Sequence, residues 1–154
     1  MSKKLKLKIV TPEHLVLEEM IDQVSLPTTL GEITVLPHHI PLVTELASGD
    51  VVAQVNGEDI PFAVVGGFIE VKPGLPAVAG GEGMTEVAVL ADFAEHVSEL
   101  SDEKIAMSKA WAEELRKQME NKEHVNFEHF EAELERSLTR VKIADKWRTK
   151  KYRR

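Results

Sequence analysis

The sequence predicts a chain in two parts: an all-β sandwich over residues 1–92, followed by an antiparallel two-helix hairpin over residues 93–154. Three observations predict it. As far as Asp92, apolar and polar residues alternate in short runs punctuated by Gly and Pro, the pattern of strands that bury every second side chain. Beyond Asp92 the apolar spacing lengthens to three and four residues, the repeat of one helix face. Charge also segregates in the second half. Residues 95–135 carry twelve acids, whereas residues 136–154 carry nine Lys or Arg against the single acid Asp145, so the two helical arms differ in sign.

The elements follow in order. Leu5, Leu7 and Ile9 alternate with Lys4, Lys6 and Lys8 as a half-buried first strand, which Thr11-Pro12 stops. Leu15–Leu17 is a second short strand and Ile21–Leu26 a third. Gly31–Pro41 comes next and is the most constrained stretch of the chain. Pro37 and Pro41 lock φ and lack a donor, and they push Leu36 and Ile40 toward extended backbone. The expectation is a stiff, extended surface loop, ordered before any partner arrives and so suited to docking. His38 and His39, adjacent in such a segment, would point opposite ways, which defeats chelation of a metal by the pair.

Leu42–Leu46 is a further strand, and Ser48-Gly49-Asp50 turns the chain. Val51–Val55, Asn56-Gly57 and the apolar run Ile60–Val65 form a hairpin, because Asn-Gly suits the positive φ values of a type I′ turn. Pro61 places its strand at an edge or delays its start. Gly66-Gly67 bends the chain into Phe68–Val71, and Val87–Leu90 is the last strand. Between them, Leu75–Met84 is a glycine-rich hairpin insert; its Gly-Gly-x-Gly lacks the Gly-Lys-Ser/Thr of a phosphate loop.

Ser101 caps the first helix, with Asp102 and Glu103 in its first turn. Met107, Trp111, Leu115 and Met119 form an apolar stripe, with Ile105 and Ala112 beside it, as far as Glu120. Asn121–Val125 is a turn. Asn126 caps the second helix, Val125 staples against Phe130, and Phe130, Leu134, Leu138 and Val141 are its stripe. Trp111 and Trp147 are expected in the core. Two helices of this length are marginal alone, so the hairpin is expected to need a dock, on the sandwich or on another protein, and an element with two docks is a switch.

Composition narrows the function. The 154 residues, 43 % hydrophobic and 29 % charged, suffice for one real core. There is no cysteine, hence no disulfide framework, thiolate metal site or cysteine nucleophile. The start, Met1-Ser2-Lys3-Lys4-Leu5-Lys6, has no apolar signal region, and no run reaches the roughly 20 apolar residues of a membrane span. No nucleophile elbow or acid–base set is present, so no enzyme is expected. The basic tail could suit nucleic acid, but the acidic remainder, with a net charge of −7, argues against it.

The stretch Gly31-Glu32-Ile33-Thr34-Val35-Leu36-Pro37-His38-His39-Ile40-Pro41 resembles the signature loop of the epsilon subunits of F-type ATP synthases, Gly-x-x-x-x-x-Pro-x-His-x-Pro. The likeness continues at Ser48-Gly49, Gly66–Val71 and Val87–Asp92, and the acidic and basic helices extend it over nearly the whole chain. The resemblance implies a sandwich of about ten strands and a non-catalytic rotor subunit of the central stalk of a proton-transporting ATP synthase. The sandwich would sit at the foot of the gamma subunit against the c-subunit ring. The hairpin would lie compact, or rise along gamma into the alpha/beta head, where it blocks ATP hydrolysis and its cations meet an acidic segment of beta.

Carried onto this chain, Glu32 matches the ring-contacting acid and His39 the gamma-facing histidine, framed by Pro37 and Pro41. Arg136, Arg140 and Lys142 are the braking cations by region. Membrane contact would come only through partners, at the cytoplasmic face of a bacterial inner membrane. Some members bind ATP through Leu-Asp-x-x-Arg-Ala. Here Leu100-Ser101-Asp102-Glu103-Lys104-Ile105-Ala106 lacks one key group in either alignment, so no cofactor is expected. The residues alone also allow a free-standing β adaptor or ligand-binding module with a helical tail.

Overall fold

The structure, a computed structural model, describes residues 3–76, 79, 81–120 and 127–152. It divides into two compact units, Met1–Ala94 and Glu95–Arg154.

The first unit is a β-sandwich built from β1 (Leu5–Val10), β2 (Leu15–Ile21), β3 (Gln23–Thr28), β4 (Gly31–Val35), β5 (Leu42–Glu45), β6 (Gly49–Val55), β7 (Glu58–Pro73) and β8 (Thr85–His96). The hydrogen-bonded order is β2-β1-β8-β7-β6-β3-β4, with β5 also on β7. Neighbours are antiparallel in the registers resolved, except that β1 and β8 run parallel. Eight strands do the work of the ten expected because two are long.

Strand β7 explains this. Its first half pairs with β6, ending at Gly49↔Val64, and its second half pairs with β5, from Glu45↔Phe68. The change of partner falls on Gly66 and Gly67, whose φ values are +56° and +121°. A Cβ on Gly67 would lie 2.0 Å from the Leu90 carbonyl oxygen. Only glycine supplies both the backbone conformation and the close approach. The predicted bend is therefore a kink inside one strand.

Two boundaries differ from the sequence reading. Ile21 ends β2, and the break falls at Asp22, whose carboxylate accepts the Asn56 N–H at 2.6 Å. Pro61 lies within a central strand, opposite Val52. A strand residue aims its N–H at only one neighbour, so a single proline removes at most one ladder bond. The Asn56-Gly57 turn has positive φ at both residues, +52° and +82°, between Val55 and Glu58 in register.

The core lies between the layers. Leu5, Leu7, Ile9, Val24, Leu26, Val35, Val51, Phe62, Ile69, Val87 and Val89 are fully buried or nearly so. Burying each Val, Leu or Ile stabilises by roughly 1.5–3 kcal/mol. On the outer face, Lys6 and Glu18 pair at 2.7 Å.

The second unit holds a 3₁₀ turn (Val97–Glu99), α1 (Asp102–Glu120) and α2 (Phe127–Tyr152). Ser101 caps α1 as predicted: its Oγ accepts the Lys104 N–H at 3.2 Å, and its carbonyl accepts from Ile105 at 3.0 Å. The buried residues match the predicted stripes in part: Ile105, Ala112 and Leu115 are among those expected, whereas Ser108 and the buried set of α2 are not. On α1 they are Ile105, Ser108, Ala112 and Leu115; on α2, Ser137, Thr139, Ile143 and Ala144. Met107 and Trp111 are 69 % and 46 % exposed, and Leu138 is exposed as well. Small residues share the buried positions with Ile105, Leu115 and Ile143, while Met107, Trp111 and Leu138 stay outside. Trp147 is half-buried, with the Lys150 ammonium 4.3 Å over its ring. The predicted turn at Asn121–Val125, the Asn126 cap and the Val125 staple lie outside the described residues.

Candidate docking surface

The loop between β4 and β5 is held in place, though it is not extended throughout. The His39 N–H donates to the Leu36 carbonyl at 3.1 Å, closing a turn with Pro37 and His38 at its centre. His38 has φ +68°. Proline followed by a left-handed residue is the geometry of a type II turn. Pro37 and Pro41 bracket the loop, but the turn between them is set by His38, where extended backbone was predicted. The His38 N–H donates to Thr85 Oγ1 at 2.7 Å. Thr85 is buried at the start of β8, so a strand of the core pins the loop.

His39 is fixed by its own neighbour. Its Nδ1 lies 2.7 Å from the Ile40 carbonyl oxygen. A carbonyl can only accept, so Nδ1 carries the hydrogen, and Nε2 of the neutral ring is an acceptor. Leu36 and Ile40 are 51 % and 74 % exposed.

The neighbouring strands add apolar surface. Val43 and Phe68, both well exposed, lie on one outward face of β5 and β7 through the pairs Val43↔Glu70 and Glu45↔Phe68. Such diagonal neighbours lie roughly 7–8 Å apart. Sequence reasoning missed this patch, although the alternation at Leu42–Glu45 placed Val43 opposite to the core-facing residues.

Glu32 is exposed on β4, opposite Pro27. It stands beside the β3–β4 hairpin tip, where Thr28 Oγ1 donates to the Gly31 carbonyl at 2.5 Å and accepts the Leu30 N–H at 3.2 Å. This holds Leu30 95 % exposed, another residue that sequence reasoning missed. Glu82, in the Leu75–Met84 insert, lies 3.5 Å from Lys3 Nζ and 3.8 Å from His38 Nδ1. The neck of the insert is closed by the Gly74 N–H donating to Met84 O at 2.6 Å. Among the described residues, no cluster of three or more His, Asp or Glu could hold a metal.

A family model described as ATP synthase, Delta/Epsilon chain, beta-sandwich domain matches residues 4–97. The chain is 36 % identical to the ATP synthase epsilon chain of Syntrophobacter fumaroxidans, covering 95 % of this chain and 99 % of that one. To the ATP synthase epsilon chain of Dehalococcoides mccartyi it is 37 % identical, over 94 % of this chain and 95 % of the relative. The chain belongs to the ATP synthase epsilon chain family. It is thus an epsilon-type subunit of ATP synthase, a subunit with no catalytic role of its own. A chain in the cryo-EM structure of the Euglena gracilis mitochondrial ATP synthase, OSCP/F1/c-ring in rotational state 1, matches with TM-score 0.62 and 25 % identity, covering 86 % of this chain and 76 % of that one.

In this epsilon-family chain the helical cations do not form one patch. Arg136 and Arg140 are one turn apart on α2, whereas Lys142 is displaced from Arg140 by about 200° around the axis. Arg140 Nε donates to Glu95 Oε2 at 2.9 Å, and the Lys104 ammonium donates to Glu95 Oε1. Arg148 pairs with Asp102. A groove of about 500 Å³ between α1 and α2 is lined by Lys104, Met107, Ser108, Trp111, Ser137 and Arg140. No helix among the described residues is long and apolar enough to cross a membrane.

Proposed function

We propose that the β unit docks on the rotating shaft and that the helical unit is a brake on ATP hydrolysis. In this reading residues 1–92 bind the gamma subunit and the c ring, and residues 93–154 form the regulatory arm. The supporting observation is the pinned loop: an apolar, exposed turn at Leu36–Ile40, held by buried Thr85 and continued by Val43 and Phe68. A surface ordered in advance loses little entropy on binding. Pro37 and Pro41 stiffen it, His39 faces gamma, and Glu32 beside Leu30 faces the ring. Arg136, Arg140 and Lys142 are the cations that meet an acidic segment of beta when the arm is raised. The subunit thereby couples the ring to the alpha/beta head during proton-driven ATP synthesis, at the cytoplasmic face of a bacterial inner membrane, and touches the membrane only through partners. We assign it no cofactor, because Lys104 and Arg140, the cations bordering the groove, are engaged by Glu95.

Mixing the chain with gamma should yield a complex of about 1:1, weakened by His39→Ala, and Glu32→Ala should weaken association with the c ring. Recovery of only the free chain beside intact gamma overturns the docking reading. Deleting the residues after Asp92 should raise ATP hydrolysis by the assembled complex. Unchanged hydrolysis at every ATP concentration overturns the brake.

A further inference from the structure

Glu95 opens the second unit and is 8 % exposed. Its two oxygens are divided between two helices: Oε1 accepts from Lys104 of α1, and Oε2 from Arg140 of α2. A carboxylate this shielded is tolerable only while paired, so its position requires both helices to stand beside it. Remove it, and the Lys104 ammonium and the Arg140 guanidinium lose the carboxylate they share. Apolar packing also holds the pair: Ile105 and Leu115 of α1 and Ile143 of α2 are buried, while the other buried residues, Ser108, Ala112, Ser137, Thr139 and Ala144, bring little apolar area. The ion pair Asp102–Arg148, which also joins the two helices, is well exposed and weak for that reason.

We propose that Glu95 is the latch of the hairpin. Its carboxylate holds α1 and α2 together and occupies the Arg140 guanidinium, so an acidic protein surface must displace Glu95 to take that cation. The identity of the acidic partner rests on the braking function proposed above; the latch is a property of the isolated chain. It makes opening of the hairpin and exposure of the brake's cation a single event, with no small molecule needed to set the balance.

The chain has no cysteine, so Glu113→Cys and Glu131→Cys, exposed on α1 and α2, accept spin labels without background. Electron–electron double resonance on the full chain then reads the helix separation. One short distance is expected with Glu95 present. Glu95→Gln should raise the separated population about tenfold, the scale of breaking a partly shielded ion pair. Arg140→Gln should do the same, and the double variant should be no more open than either single variant. An unmoved distance distribution in Glu95→Gln, or additive opening in the double variant, overturns the latch. If Glu95→Gln loses helical circular dichroism, Lys104→Met and Arg140→Gln probe the same bridge from its other ends, and no opening in either overturns it. Glu95→Gln should also bind a poly-glutamate peptide about tenfold more tightly, the scale of releasing one partly shielded cation; equal affinity overturns the masking of Arg140. ATP hydrolysis by the assembled complex is scored separately, so a failed brake and a failed latch give different results.

Discussion

Single residues carry much of the local geometry, and they can be tested singly. Thr85 accepts the His38 N–H from inside the first unit. Thr85→Val removes that acceptor at nearly constant volume and should cost about 1 kcal/mol or more. It should also weaken gamma binding, read by calorimetry beside denaturant unfolding. Glycines separate space from strain. Gly57 has φ +82° with nothing near its absent Cβ, so Gly57→Ala should lose roughly 1 kcal/mol from backbone strain alone. Gly67→Ala meets both strain and the Leu90 carbonyl and should lose roughly 3 kcal/mol or more. The Lys6–Glu18 pair sets a pH expectation. Its hydrogen bond and charge hold the Glu18 carboxyl below its ordinary range and raise Lys6. A depressed carboxyl stabilises above its unfolded value, and that contribution fades as pH falls through the lower folded value. Glu18→Gln should therefore flatten the acid limb of the stability profile slightly, with no change near neutral pH beyond the loss of one exposed pair.

At the level of elements, capping and charge decide the helical unit. Ser101→Ala should cost about 1 kcal/mol of its stability. The Lys104–Glu95–Arg140 bridge should weaken less with salt than the exposed Arg148–Asp102 pair, because screening acts mostly on solvated charges. Local chemistry made several elements legible. Asn56-Gly57 specified its turn, Ser101 its cap, and Gly66-Gly67 its bend, since each depends on backbone demands that few residues meet. The helix faces were misread only in part: Ile105, Ala112 and Leu115 are buried as expected, whereas Met107, Trp111 and Leu138, large and evenly spaced, are exposed. The buried face uses the small residues Ser108, Ala112 and Ser137, and a small-residue spacing of four at Ser108 and Ala112 was the available clue. Glu95 was hidden for another reason: its partners stand 9 and 45 residues away, and no periodicity reports such a meeting.

For the molecule as a whole, the core of the first unit draws on β1 to β8 without helical residues. A chain ending at Ala94 should therefore unfold cooperatively on its own, with strand-type circular dichroism; loss of a cooperative transition would show that the sandwich needs the helical unit. The β layers were legible because strand alternation is written locally, whereas the left-handed turn at His38 inside the proline-bracketed loop was not. The parallel pairing of β1 with β8 was not, since it joins residues about as far apart as the unit allows. His39 carries the wider consequence. With Nδ1–H committed to the Ile40 carbonyl, the neutral imidazole presents only a lone pair at Nε2. Whatever seats itself there must bring the hydrogen: an amide, hydroxyl, ammonium or guanidinium is welcomed, while a carboxylate meets electron density with electron density. On the docking reading proposed above, that small asymmetry would give the surface a polarity that its shape alone would not impose.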